Sequence, residues 1–457
     1  MRLPEALPSF HAPAGVLIAK EMRDLLAGRA FWVLLLLLSP LVGYGFDQAV
    51  QLYAEASRAA AQSPELARGL SPFDGIVVPT FGALYFTTTF LFPFVVIRAV
   101  AAEKQDGAHK LMQQLPYRTA VIVAAKVAVL GLAWLAMAAV CLSALLLWML
   151  QGGHLSLSEV AAVMAGHALY AAVVAGIGLA AAAMTESMAT AAILTLAATV
   201  GFWVLDFAAS SDSGALGALS GLSLTAVLRQ FERGIFSLGT AGATLAAACG
   251  LVCLAAVWWP AGRRVGARAL ASAGVLVLTA AAIAATSRAS LYADAREDRR
   301  NSFSAGEAAA LAQLRQRLTV TVNLRPEDPR YIDFNNGVLG KLIRTVPDIA
   351  VIKVAGGRSE FATQGDDNYG QIALAYAGRY ARTRSTSANE ILPLIYELTN
   401  LPRPQATPPT QFAGYPLVAD SGVSRLWFYA ILPAVVAAAW LARGGLLRRG
   451  ARSAIRP

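Results

Sequence analysis

The stretch VAVLGLAWLAMAAVCLSALLLWM, residues 127–149, decides the fold class, because it runs for 23 residues without a charged side chain. A helix needs about 20 such residues to cross the roughly 30 Å of hydrocarbon in a bilayer. Comparable apolar runs occur at 30–46, 80–100, 158–183, 187–207, 239–259, 269–287 and 426–442. Charged residues make up only 14% of the chain, against roughly 25% in soluble domains. The sequence therefore predicts an α-helical polytopic membrane protein with about eight transmembrane helices.

Basic side chains predict the orientation, because lysine and arginine are enriched in short cytoplasmic loops. When eight spans are threaded, one side receives Lys20, Arg23, Arg29, Lys104, Lys110, Arg118, Lys126, Arg263, Arg264, Arg268, Arg443, Arg448, Arg449, Arg452 and Arg456. The short loops on the other side carry far fewer basic residues. Both termini are therefore predicted to be cytoplasmic. The net charge of +10 follows from this flanking pattern, which contains no basic stripe with interleaved aromatics and so argues against nucleic-acid binding.

Cysteine and histidine indicate neither a metal site nor a redox site. The three cysteines lie inside apolar runs without C-x-x-C spacing, and the four histidines are scattered along the chain. We expect the chain to bind no metal or cofactor of its own.

Residues 288–424 predict a small extracytoplasmic α/β domain. Ser304 followed by Glu307 has the spacing of a capping box, which begins a helix. Strand patterns occur at 318–324, 349–355 and 369–378, and helical patterns occur around 329–345 and at 388–400. The proline-rich stretch 401–410, LPRPQATPPT, is typical of a tether that leads back to the last span.

The sequence before the first apolar run predicts an amphipathic elbow helix. In GVLIAKEMRDLLAG, residues 15–28, apolar side chains share one helical face, and the charged side chains Lys20, Glu21 and Arg23 lie largely on the other. Residues 1–29 therefore form a cytoplasmic N-terminus that ends in an interfacial helix.

The second and third spans are separated by an unusually polar segment, AAEKQDGAHKLMQQLPYRTAVIVAAK, residues 101–126. Leu111, Met112 and Leu115 predict a short apolar face. The charged residues Glu103, Lys104, Asp106 and Lys110 are expected to stay solvated. Such a helix suits docking to a soluble partner, and the alternative is a solvated loop that obeys the positive-inside rule.

This segment resembles the permeases of ABC-2 type ABC transporters. The resemblance rests on Glu103, Gly107, Leu111, Leu115, Pro116 and Lys126. The chain departs from the family pattern at Gln105 and Asp106 before the glycine, at Ala108 in place of threonine, and at Ala125 before the lysine.

In that family the segment is the region that meets the ATPase. The resemblance therefore implies a six-helix permease domain over residues 30–260. It also implies a set of residues that couple to the ATPase: Glu103, Lys104, Asp106, Gly107, Leu111, Leu115, Pro116 and Arg118. Thr185, Glu186 and Ser187, in the turn between spans four and five, are a candidate second contact, with a plain solvated turn as the alternative.

The same resemblance implies the partners. The chain has no G-x-x-x-x-G-K-[ST] phosphate loop, so ATP and Mg²⁺ are expected in a separate ATPase subunit, present in two copies. A second permease chain, identical or related, would complete the complex among the membrane lipids, and this chain would not be an enzyme by itself. The expected location is a bacterial inner membrane.

The outer domain resembles the auxiliary domain of gliding-motility type ABC exporters. Its juxtamembrane stretch loosely matches the family pattern at Arg299, Arg300, Asn301, Ser302 and Ser304. In that family the domain is usually longer and often a separate chain, whereas here it is short and fused to the permease. Its expected role is to gate, to bind substrate or to recruit a partner in the cell envelope. Residues 261–287 then hold a linker and the seventh span, and residues 425–457 hold the eighth span and a basic tail.

Three functions stay open at this point. The first is export of a substrate, driven by the separate ATPase. The second is a complex without transport that applies mechanical work to an envelope partner through the outer domain. The third is a membrane-anchored envelope enzyme, for which residues 288–424 offer no readable nucleophile–base pair.

Overall fold

The computed structural model describes residues 14–115, 117–209, 223–325, 328–354, 368–404 and 414–453. The first helices are α1 (Ala14–Ala27), α2 (Arg29–Gln62), α3 (Pro64–Ala67), α4 (Val78–Phe90), α5 (Phe92–Gln105), α6 (Ala108–Met112), α7 (Thr119–Leu150), α8 (Leu157–Met184) and α9 (Met188–Ala209), with a π-helical turn, Phe73–Val77, before α4. They are followed by α10 (Leu224–Glu232), β1 (Ile235–Ser237), α11 (Leu238–Trp258), α12 (Val265–Thr286) and β2 (Tyr292–Asp294).

The remaining elements belong to the α/β domain and the last span. The domain contains α13 (Ala305–Leu311), β3 (Leu318–Val322), α14 (Pro329–Phe334), a π-helical turn (Asn335–Leu339), α15 (Gly340–Thr345), β4 (Ile349–Lys353), β5 (Ile372–Tyr376), β6 (Arg379–Thr383) and α16 (Ala388–Thr399). The last span is built from α17 (Gly422–Leu426), a π-helical turn (Trp427–Ile431) and α18 (Leu432–Ser453).

Among the described residues, eight helical segments are long and apolar enough to cross a membrane. Spans one to eight are Arg29–Gln62, Phe73–Gln105, Thr119–Leu150, Leu157–Met184, Met188–Leu205, Leu238–Trp258, Val265–Thr286 and Gly422–Arg443. Each overlaps one predicted run, so the predicted eight helices are confirmed. The predicted extent of the first, 30–46, is wrong: its 34-residue helix continues through alanine, glutamine and glutamate, which favour helix. At about 1.5 Å per residue it is roughly 51 Å long.

Spans one to four form the core of the bundle. In spans one to four, 50–61% of the residues in the most apolar window are buried inside the protein. In spans five to eight, the buried share of that window is only 0–17%. Large side chains such as Phe46, Phe81 and Trp148 fill the centre. The outer spans present apolar side chains such as Leu276 and Leu278 outward, which suits contact with lipid.

Small residues let span four pack closely, as its sequence predicts. A Cβ at Gly166 would lie 2.5 Å from Cβ of Phe231, and a Cβ at Gly178 would lie 2.8 Å from Val96. Both glycines are therefore sites of close helix approach. Span five, by contrast, is mostly exposed within its most apolar window.

The α/β domain is a two-layer unit. Its sheet has the strand order β4-β3-β5-β6, in which β3 and β4 are parallel and the other pairs are antiparallel. Leu318, Val320 and Val322 alternate into a core that they share with Phe334 and Ile395 from the helices. The predicted strands are present, and the capping box of Ser304 and Glu307 is formed. The predicted helix around 329–345 is interrupted by a π-helical turn.

A second, two-stranded sheet joins this domain to the bundle. β1, between α10 and α11, pairs antiparallel with β2, which follows span seven. No strand pattern had been predicted at either place, because three-residue strands leave no readable alternation. We call the end of the bundle that carries the α/β domain the domain end, and we call the end that carries α1 and α6 the elbow end.

Candidate functional site

The predicted coupling segment forms a sharp corner at the elbow end. α5 ends at Gln105, and the corner residue Gly107 has a φ of 73°, which an L side chain rarely adopts. The short helix α6 begins at the next residue, Ala108. Pro116, one of the predicted coupling residues, lies outside the described residues.

The centre of the site is Lys126 in span three. Its side chain is fully buried, and its Nζ donates to Glu21 Oε2 at 2.8 Å and to the Ala99 carbonyl at 2.7 Å. The same Nζ is 2.9 Å from Glu103 Oε1 and 5.3 Å from the centre of the Trp259 ring. A buried charge is tolerated only when it is paired and hydrogen-bonded, and here α1 and α5 supply the partners of the α7 lysine.

Lys20 extends this network to the surface. Its ammonium pairs with Glu103, lies 3.0 Å from Glu21 Oε1 and lies 3.0 Å from Asp24 Oδ2. Burial alone lowers the pKa of Lys20, but hydrogen bonds and charge from Glu103 and Glu21 outweigh it and hold the pKa above its ordinary value. Burial raises the pKa of Glu21, and Lys126 opposes that rise.

Two expectations about solvation are wrong. Glu103 was expected to stay solvated and Glu21 to lie on the polar face, yet they are only 7% and 4% exposed. The reason is that both carboxylates turn inward to meet Lys126, which lies 23 residues after Glu103 and 105 residues after Glu21. Arg23, predicted beside Glu21, is exposed.

Lys104 caps the end of span four. Its Nζ donates to the carbonyls of Ala182 at 2.9 Å, Ala183 at 2.8 Å and Thr185 at 2.8 Å. The last carbonyls of a helix lack partners within the helix, and a cation also suits the negative end of its dipole. The structure therefore brings the two predicted contact regions together, since Lys104 and Thr185 belong to different ones.

α6 is also fixed to the end of span six. His109 Nε2 donates to the Trp259 carbonyl at 3.0 Å, and Gln113 Nε2 donates to the same oxygen at 3.1 Å. The amide of Ala261 donates to Gln113 Oε1 at 3.1 Å. Burial lowers the pKa of His109, which favours the neutral ring here. Sequence reasoning missed both residues, because a lone histidine and glutamine carry no pattern.

The remaining coupling residues face outward. Asp106, Lys110 and Arg118 are exposed, and Leu111 and Leu115 are 67% and 49% exposed. Met112, predicted on the same apolar face as these leucines, instead points inward, with its sulfur 3.7 Å from Lys20 Nζ. In the second predicted contact, Glu186 and Ser187 are exposed and Thr185 is half-buried.

A second charged cluster, the domain-end latch, lies at the opposite end. Arg296 is 3% exposed and grips Asp74 with two bonds, Nη1 to Oδ1 and Nη2 to Oδ2, both of 2.7 Å. Its guanidinium is 4.6 Å from the centre of the Phe73 ring, and its Nε is 3.7 Å from Glu159 Oε1. The stretch that follows span seven is thus pinned to spans two and four.

Of the predicted juxtamembrane residues, Arg300 binds within this latch and Asn301 and Ser302 bind beside it, whereas Arg299 is exposed and Ser304 caps the start of α13. Arg300 Nη1 donates to Asp74 Oδ2 at 2.9 Å, and Asn301 Nδ2 donates to the Arg233 carbonyl at 2.7 Å. Ser302 Oγ donates to Asp294 Oδ2 at 3.0 Å. Sequence reasoning missed Arg296 and Asp74, which lie 222 residues apart.

Carboxylates of Glu21, Asp24 and Glu103 lie within 4.8 Å of one another, a spacing that could hold a cation. The ammonium groups of Lys20 and Lys126 already neutralise these oxygens. The donor set is therefore that of an ion-pair network and does not fit a metal.

No protein-family model matches the chain, and neither a curated protein nor a solved structure matches it. The fold itself defines a mostly helical protein whose eight apolar helices are compatible with a polytopic membrane protein, with a small sheet-containing domain at one end.

Proposed function

We propose that this chain is the membrane-spanning permease subunit of an ATP-driven exporter of the ABC-2 type. The proposal rests on one observation, which is how α6 is connected to the bundle at the elbow end. The exposed helix α6 and its flanks are joined on their buried side to the ends of several spans. A force applied to this surface has a direct route into the bundle.

That route has three branches. His109 and Gln113 lead to the end of span six at Trp259. Lys104 leads to the end of span four. Glu103 leads through Lys126 to span three and through Lys20 to the elbow helix. These contacts are short and polar, so they resist separation when α6 moves, and the helices should move together.

The proposed docking surface consists of the exposed coupling residues Asp106, Lys110, Leu111, Leu115 and Arg118, with Glu186 and Ser187 at its edge. Two ATPase subunits would bind there, carrying the ATP and Mg²⁺, and a second permease chain would complete the complex. This assignment places the elbow end in the cytoplasm of a bacterium and residues 288–424 outside its inner membrane, as the basic residues predict.

The test is co-purification with the ATPase encoded beside this chain, comparing Leu111→Asp with Leu291→Asp. The two leucines are 67% and 69% exposed, but Leu291 lies at the domain end. We expect Leu111→Asp to abolish the complex and Leu291→Asp to retain it. Absence of a complex with the unchanged chain would refute the permease assignment, and loss with both variants would refute the proposed docking surface.

A second function, mechanical work on an envelope partner without transport, is favoured by the domain-end latch. Arg296 holds the stretch that leads into the α/β domain against spans two and four, so motion of these spans would displace the domain. ATP-dependent uptake of a substrate into inside-out vesicles would favour export. ATP-dependent movement of the domain without uptake would favour mechanical work.

A further inference from the structure

A cavity of about 370 Å³ opens at the elbow end between α1, the start of α2, α5 and α7. One part of its wall is apolar and the other is charged. The apolar part is formed by Leu25, Phe31, Val95, Val129 and Leu130. The charged part contains Lys20, Glu21, Asp24, Arg98, Glu103, Asp106 and Lys126.

Three of these charged groups lack a partner, wholly or in part, among the residues that the structure describes: Glu103, Asp106 and Arg98. Glu103 uses Oε1 for both lysines, whereas its Oε2 is buried and accepts no hydrogen bond from the residues that the structure describes. The guanidinium of Arg98 forms no hydrogen bond or ion pair within the same residues. It lies close to Gly28, the residue between α1 and α2, since a Cβ added to this glycine would be 3.3 Å from Arg98 Nε. The cavity thus offers two carboxylates, the exposed one of Asp106 and that of Glu103 with its unpartnered Oε2, and one cation, Arg98.

Burying a carboxylate oxygen without a hydrogen-bond donor costs free energy of folding. An N–H group that donates to Glu103 Oε2 would therefore be stabilising. The planar guanidinium of Arg98 can donate two hydrogen bonds to two oxygens of a phosphate. Arg98 lies seven residues before the end of α5, which is about 10 Å along the helix axis. From that depth the long side chain of an arginine reaches the headgroup region of the membrane. The apolar wall suits the glycerol and the first acyl carbons.

We propose that this cavity binds a phospholipid with a primary-amine headgroup, of the phosphatidylethanolamine kind. The ammonium donates to Glu103 Oε2, the phosphate accepts from Arg98, and the chains leave along Phe31 and Leu130. A choline headgroup fits less well, because its quaternary nitrogen has no N–H to donate. A bound lipid would wedge the elbow helix against α5, beside the ion pairs of Lys126.

The experiment is lipid titration of the full-length, delipidated protein, followed by native mass spectrometry and by melting temperature. We expect dioleoyl-phosphatidylethanolamine to bind at least about tenfold more tightly than dioleoyl-phosphatidylcholine, as the loss of one charged hydrogen bond requires. Equal binding of the two lipids would overturn the proposal. Soluble glycerophosphoethanolamine should bind far more weakly than the lipid, and equal binding would also overturn it by showing that the apolar wall contributes nothing.

Two variants locate the site. Arg98→Gln should weaken binding of phosphatidylethanolamine by at least about tenfold, whereas Arg118→Gln, an exposed arginine outside the cavity at the same end, should leave it unchanged. Ala102→Leu, which narrows the cavity without removing a charge, should also weaken binding. Unchanged binding in Arg98→Gln, with a lipid-free melting temperature equal to that of the unchanged chain, would refute the site. The readout needs no ATPase, so it is independent of the permease proposal.

Discussion

Each end of the bundle is held together by a buried cation that binds carboxylates from other parts of the chain. The cation is a lysine at one end and an arginine at the other. At the elbow end a buried lysine, Lys126, gathers carboxylates from two other helices. At the domain end a buried arginine, Arg296, binds Asp74 with two parallel bonds, while Glu159 and Asp298 lie farther from it, at 3.7 and 3.5 Å. A lysine ammonium is a compact charge that several acceptors can share, whereas a guanidinium is a planar fork that fixes one partner in one orientation. The first suits a junction of several helices, and the second suits a latch between two bodies.

The largest effect should come from removing the shared cation. Lys126→Met leaves two buried carboxylates, Glu21 and Glu103, with only the half-buried Lys20 between them, which should lower the free energy of unfolding by about 3–5 kcal/mol. Denaturant unfolding in detergent micelles measures this. Lys110→Met, an exposed lysine of the same segment, should cost under about 0.5 kcal/mol. Similar losses in both variants would mean that the network contributes little.

The domain-end latch should become less stable when Arg296 is replaced by a side chain of the same charge but a different shape. Arg296→Lys keeps the cation but loses the two-pronged bond to Asp74 and the contact with the Phe73 ring, at a cost of about 1–3 kcal/mol. Hydrogen exchange over residues 292–302 should become faster. Arg299→Lys, an exposed neighbour, is the control. Unchanged exchange in Arg296→Lys would show that charge alone holds the latch.

Gly107 tests whether the corner before α6 is needed. Gly107→Ala places a side chain at a φ of 73° and should cost about 1 kcal/mol. At Gly131, in the helical interior of span three, a Cβ meets nothing within 4 Å, so Gly131→Ala should be neutral or slightly stabilising. The melting temperatures of the two variants should therefore move in different directions, and a common shift would contradict the corner's role.

The smallest effect concerns pH and the α/β domain. Hydrogen bonds from Arg330, and one from the Tyr369 hydroxyl, lower the pKa of Asp328 from 3.8 to about 2. Because the folded pKa is below the unfolded one, this stabilisation is complete above about pH 4 and is lost as the pH falls through 2. The site is near the surface, so the loss should stay under about 1 kcal/mol.

Denaturation midpoints between pH 5 and pH 2 measure this effect. Asp328→Asn should flatten the decline relative to the unchanged protein. Asp348→Asn, which removes an exposed ion pair with Arg317, should leave the decline as it is. A decline of the same steepness in Asp328→Asn would assign the pH dependence to other carboxyl groups.

Local patterns predicted much of the fold. Apolar runs of membrane length gave the eight spans, β-branched alternation gave β3 and β4, and the spacing of Ser304 and Glu307 gave the start of α13. Each signal lies within a few residues of the feature that it predicts. The same holds for Gly107, whose unusual φ is a property of its own backbone.

The charged partners could not be predicted in this way. Glu103 reads as a solvated residue, because nothing within its own helix shows that Lys20 and Lys126 will surround it. Arg296 reads as one of several juxtamembrane charges until Asp74 is placed opposite it. The assignments to an ABC-2 permease, to its partners and to its membrane stay predictions that rest on resemblance and await the co-purification experiment.

The sequence by itself determined that the chain is helical and apolar, with eight stretches long enough to cross a membrane and one polar segment between the second and third. The tertiary structure alone decided which charges are buried and which face outward. The physical reason is that hydropathy and helix propensity are summed over neighbours in the chain. The pairing of buried charges depends instead on how distant helices are rotated and packed against each other, as Lys126 with Glu21 and Arg296 with Asp74 illustrate.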